Sequence, residues 1–239
     1  MERDPGGSVP RPTRFSDNAA TILATEHWNV FGTRSMTWAE ASSRTTVFLT
    51  VLSAAVVSLA LVADATGFEG SFLTFALVLL PVVLFLGVAT FARLVQINAQ
   101  DAYYVIAMNR IRHAYLELAP ELEPYFTTSQ YDDQPGIVTT YSFGETRNFR
   151  PWLQFLMTSP TVIASINSAL FAAGASLIVN RLTGFTPALV GICAIVFLTS
   201  WVLHFLVQLR PISIFRRHYV PRFPSNGTEQ FYEGSGQAQ

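Results

Sequence analysis

Lysine is absent from the 239 residues: all 15 basic side chains are arginine, set against 16 acidic ones for a net charge of −1. A chain so nearly neutral lacks the concentrated basic surface that nucleic-acid binding needs, so no nucleic-acid partner is expected. Because lysine codons are AT-rich, the wholesale use of arginine points to a GC-rich bacterial genome. Cysteine is nearly absent too. Cys193 stands alone, which excludes a disulfide or a cysteine-based metal site within one chain. It lies inside an apolar run and reads as a small apolar packer. The four histidines, His27, His113, His204 and His218, are scattered, and only His27 has a carboxylate beside it, Glu26. There is no Walker loop, HExxH helix or GxSxG elbow. The acidic residues Glu121, Glu123, Asp132, Asp133 and Glu145 do not follow a calcium-loop spacing and read as solvated surface. The chain is therefore expected to be no enzyme and to carry no metal or cofactor.

What the chain has instead is four apolar runs of 17 to 23 residues: 47–63, 72–92, 160–179 and 187–209. Each matches the roughly 30 Å of a hydrocarbon core at helical rise. The predicted fold class is all-α, a four-transmembrane-helix bundle with the lipid bilayer as its surroundings. Fourteen of the arginines lie in the two tails or the central segment; the loop 64–71 has none and the loop 180–186 has only Arg181. Arginines near helix ends resist translocation, which puts both termini in the cytoplasm of a bacterial plasma (inner) membrane. No secretory signal peptide is visible, because 46 residues precede the first run; that run is the expected targeting signal. Arg210, Arg216 and Arg217, with Arg222 beyond them, are candidates for anionic lipid headgroups or for ordinary topology anchoring.

Outside the runs, 1–15 is rich in Pro, Gly and Arg with too little apolar content to fold, 221–239 reads the same way, and both are predicted disordered tails. Apolar spacing predicts a short amphipathic helix over 16–31, ended by Gly32. Thr37 and Glu40 then form a capping-box pattern that predicts a fresh helix start near Trp38. Trp28 and Trp38 suit the membrane interface or packing against cytoplasmic helices. Pro81 predicts a bend in the second span. Beyond Arg93 no Gly or Pro appears until Pro120, so this helix is predicted to run on to about residue 119 as a cytoplasmic stalk of roughly 35 Å. Leu94, Ile97, Asp101, Tyr104, Met108, Ile111, Tyr115 and Leu118 form a heptad seam along it. The seam is to be covered by the N-terminal helix of the same chain or by a neighbouring subunit, and Asp101 is placed to set register or to meet an arginine. The domain plan is thus 16–119 (helix, first hairpin, stalk), 120–150 (an acidic loop with a strand-like or loop-forming run, 136–141) and 151–220 (second hairpin and juxtamembrane segment).

Polar side chains inside the runs are few. The third run is full of small residues, and Ser168, Ala172 and Ser176 recur every four, as do Ser165 and Ala169, a face suited to close helix contact. Asn167 either joins helices or lines a pathway with Ser168; His204 and Gln208 pose the same choice near the end of the fourth run. No Asp, Glu or Arg lies inside any run, which argues against a carboxylate proton relay.

The stretch Thr25-Glu26-His27-Trp28-Asn29 with Thr33-Arg34-Ser35 and Trp38, followed by Arg110-Ile111-Arg112-His113-Ala114-Tyr115-Leu116-Glu117, resembles uncharacterised actinobacterial integral membrane proteins, which implies no activity. The layout over 18–118 is similar to that of SLATT effector domains, which are proposed to perforate membranes in bacterial conflict systems; the second hairpin departs from it. Two expectations follow. One is a non-enzymatic membrane protein that self-associates or holds a cytoplasmic protein partner through its helices. The other is an oligomeric ion channel or membrane-perforating effector.

Overall fold

The computed structural model describes residues 18–68, 70–142, 158–184 and 187–225, apart from the side chains of Ser142, Ile212 and Arg216. The tail 1–15, Glu145 in the acidic loop and the chain beyond Ser225 lie outside the described residues. Among those described, all regular structure is helical: α1 (Ala19–Thr66), α2 (Gly70–Leu118), a 3-10 turn (Pro120–Tyr125), α3 (Gln134–Ser142), α4 (Ser159–Thr183) and α5 (Ala188–His218). α1, α2, α4 and α5 are long and apolar enough to cross a membrane. Their apolar side chains point outward in numbers that water does not favour: Phe85 is 75% exposed and Val190 68%.

The described chain falls into two units. The first comprises 18–33, 104–142 and 221–225; the second comprises 34–103, 158–184 and 187–220. The core of the second unit gathers Phe48 and Ala55 of α1, Val83, Phe91, Leu94 and Ile97 of α2, and Ile163 and Ala164 of α4. In the first, Val30 of α1 packs with Met108 and Ile111 of α2, flanked by Leu23, Tyr104 and Tyr115. Of the seam along α2, Leu94, Ile97, Asp101, Met108 and Ile111 are buried within the chain, Tyr104 and Tyr115 are half-buried, and Leu118 is exposed.

Three local expectations are corrected. α1 runs without a break through Gly32 and Trp38. A single helical glycine costs only about 1 kcal/mol relative to alanine, which neighbouring turns absorb. Thr37 and Glu40 form no capping box, because a helix interior has no orphan amides to cap. The Glu40 carboxylate instead takes Arg93 of α2 through two bonds (2.9 and 2.7 Å) and Arg44 one turn on (2.8 Å). The run 136–141 is neither strand nor loop but most of α3. Asp133 precedes it as a cap, its Oδ1 accepting the Gly136 N–H at 2.8 Å, with Pro135 tolerated in the first turn. Gly136 is required by a close approach: a Cβ there would collide with the Tyr131 carbonyl. The cap and the glycine outweigh the β-branched composition.

Candidate functional site

Among the described residues, a dense polar construction lies in the first unit, around Asp132 and Asp133. Composition makes these solvated surface; in the structure they are 0% and 1% exposed. A buried carboxylate must have its lone pairs filled, and here each oxygen is. Asp132 Oδ1 accepts the Phe223 N–H (2.8 Å), while Oδ2 accepts the Arg222 N–H (3.0 Å) and Arg110 Nε of α2 (2.7 Å). Asp133 Oδ1 caps α3, and Oδ2 accepts both the Ser225 N–H (2.7 Å) and the Ser225 hydroxyl (2.6 Å). The Asp132 N–H in turn donates to the Phe223 carbonyl at 3.2 Å. The five residues Pro221–Ser225 thus form a strap tied to two adjacent carboxylates. Composition had assigned them to the disordered tail.

α2 braces this arrangement from beneath. Asn109, fully buried, donates through Nδ2 to the Tyr131 carbonyl (2.7 Å), and its Oδ1 accepts from Arg112 (2.8 Å) and the Thr140 hydroxyl of α3 (3.0 Å). His113 stacks on the Phe223 ring at 4.1 Å. Its Nε2 lies 3.8 Å from Glu117, and its Nδ1 is buried without a hydrogen bond. Beside the strap opens a cavity of 340 Å³, lined by Thr127, Thr128, Ser129, Gln130 and Tyr131, by Pro135, Gly136 and Thr139 of α3, and by Ser225. A second cavity, of 300 Å³, is lined by Ala24, His27, Trp28, Phe31 and Tyr115. His27 stacks on Tyr115 there. Burial, and secondarily the charge of Arg112, lower the His27 pKa; burial raises that of Tyr115. Among the described residues no group of three or more His, Cys, Asp and Glu is placed to hold a metal ion.

The intramembrane candidates lie in the second unit and are not gathered into one site. Asn167 is fully buried, and neither side-chain atom has a hydrogen bond; its Oδ1 sits against Gly87 of α2, where a Cβ would meet both it and the Phe48 ring. The Ser168 hydroxyl donates to the Ala164 carbonyl (2.8 Å) and lies 3.2 Å from Ser200 Oγ of α5. Gln208 closes a polar triangle, accepting from Thr161 (3.2 Å) and donating to Thr158 (3.0 Å). His204 Nδ1 donates to the Ser200 carbonyl at 2.8 Å and its ring meets Phe91 edge-on at 4.6 Å. Asp101, in the seam, is buried and holds Arg34 through two bonds (2.7 and 3.2 Å) and Trp38 Nε1 through one (2.9 Å). Arg210 and Arg217 are exposed, and the side chain of Arg216 lies outside the described residues.

Sequence reasoning missed the Asp132–Asp133 site. One local signal was present: Asp133 three residues before Gly136, with Pro135 between, is a helix-start pattern. The strap, some 90 residues away, left none. No protein-family profile, curated protein or solved structure matches the chain.

Proposed function

We propose that the chain is a non-enzymatic protein of the bacterial inner membrane, crossing it four times with both termini in the cytoplasm, whose first unit is cytoplasmic and holds a protein partner. The spans rest on the four long apolar helices, and the sidedness on the arginines outside them. The observation that carries the partner reading is the filled seam. Met108 and Ile111 are already covered by Val30, so the stalk has its apolar face satisfied in a single chain. This unit offers for recognition the acidic pair with its strap and adjoining cavity, and the second cavity at His27, Trp28, Phe31 and Tyr115; the first already holds a segment of main chain. Two carboxylates with every oxygen occupied are suited to holding main chain rather than to moving protons.

The channel reading needs Asn167, Ser168 or His204 to face a pathway. Asn167 is buried against Gly87 of α2, Ser168 meets Ser200 of α5, and the His204 ring meets Phe91 of α2, which favours helix adhesion for all three. The deciding experiment is the mass of the purified protein in nanodiscs, corrected for lipid. One chain per disc is expected. A discrete oligomer would overturn the self-contained seam and return the stalk to a subunit interface.

A further inference from the structure

We propose that the Asp132–Asp133 pair and the adjoining cavity form a binding site for a short non-helical peptide segment of a second protein, part of which the strap Pro221–Ser225 fills in the resting chain. The inference deepens the partner-holding reading and rests on it.

The strap is recognised mainly through its backbone. Three amides, of Arg222, Phe223 and Ser225, and one carbonyl, of Phe223, make the bonds to Asp132 and Asp133. Two successive N–H groups aimed at one carboxylate form an anion-binding turn that any non-proline residues can make. Two side chains of the strap add selectivity: the Phe223 ring on His113 and the Ser225 hydroxyl on Asp133. Pro224 between them holds Phe223 out of helical conformation. The site is therefore indifferent to most of the sequence it binds. It asks for an aromatic residue, a hydroxyl two positions later, and no acidic neighbour, since Asp132, Asp133 and Glu123 already supply negative charge.

The site also continues past the strap. Ser225 is the strap's contribution to the 340 Å³ cavity, whose facing wall is the connection Thr127–Gln130. Among the described residues the backbone N–H and C=O groups of Thr127, Thr128, Ser129 and Gln130 make no hydrogen bonds within the chain. Unpaired main chain along a cavity is the hardware with which proteins hold peptide backbones. A segment that takes the strap's place and runs on along 127–130 gains bonds that Pro221–Ser225 do not make. It must gain them, because a tethered strap competes at an effective concentration in the millimolar range.

The test is a fluorescence-anisotropy titration of the full-length protein in detergent with a labelled peptide of the sequence Tyr-Val-Pro-Arg-Phe-Pro-Ser, that of residues 219–225. Loosening the strap with Phe223→Ala and Ser225→Ala is expected to tighten peptide binding by about tenfold over wild type. Adding Asp132→Asn and Asp133→Asn to that chain is expected to remove the gain. Equal binding by all three proteins, or binding that survives the asparagine changes, would overturn the proposal. Should the loosened chain aggregate, hydrogen exchange on wild type decides: peptide at about 10 mM, above the effective concentration of the tethered strap, must speed exchange of the Arg222, Phe223 and Ser225 amides, and unchanged exchange sinks the idea. Detergent removes sidedness from the question. A negative titration therefore eliminates this site alone and leaves the partner-holding reading to stand or fall on mass and topology.

Discussion

His27 shows how one side chain in the first unit ties stability to pH. Its imidazole is stacked on Tyr115, and burial, then the charge of Arg112, hold its pKa below the ordinary 6.5. The unfolded chain therefore takes up a proton at His27 before the folded chain does. Stability is unaffected above that value and declines as pH falls from 6.5 toward the lowered folded pKa. Thermal melts in detergent from about pH 7.5 to about pH 5.5 are expected to show a falling midpoint that His27→Gln flattens. An equal fall in the variant would assign the effect elsewhere. Glu40 does not interfere. Its hydrogen bonds to Arg93 and then Arg44 lower its pKa to about 2, so its contribution is complete above 4.5 and lost only below that.

Between elements, α4 meets α2 and α5 by different means. Against α5 the contact is a polar ladder: Ser168 with Ser200, Ser165 with Trp201 Nε1 (3.1 Å), Thr161 with Gln208. The partner numbers fall as the α4 numbers rise, as an antiparallel hairpin requires. Against α2 the contact is a notch, where Asn167 and Phe48 use the space left by the missing side chain of Gly87. A methyl group in the notch overpacks it. Gly87→Ala should destabilise by about 1–3 kcal/mol. Asn167→Ala removes a buried amide with no hydrogen bond and should leave stability level or raise it. The double variant should recover much of the Gly87→Ala loss, the signature of direct coupling in a double-mutant cycle. Additive losses would mean that the two residues do not meet.

The small-residue face of α4 was legible as a period of four, and the helicity of α2 to the edge of Pro120 as a run without breakers. Gly87 was not, because a glycine announces space but not what fills it. The capping pattern at Thr37 and Glu40 misled for a related reason: the true partner of Glu40, Arg93, is 53 positions away and invisible to a local rule. Asp101 lay between, since a charge in an apolar seam predicts an opposite charge without naming Arg34.

At the scale of the molecule, four apolar runs were sufficient to read four helices able to cross a membrane, because a span is fixed by length and composition alone. The first unit was nearly opaque, since segments far apart in the chain make it: 18–33, 104–142 and 221–225. No periodicity connects Asp132 to Phe223. Sidedness is the claim on which the functional reading turns, for a cytoplasmic first unit meets cytoplasmic partners and a periplasmic one does not. The direct measurement uses a Cys193→Ser background with single cysteines at Ala65, Thr183 and Glu121, all exposed positions, and a membrane-impermeant maleimide added to spheroplasts. Ala65→Cys and Thr183→Cys are predicted to label at once, and Glu121→Cys only after the membrane is opened. Immediate labelling of Glu121→Cys, with the two hairpin positions protected, would contradict the account.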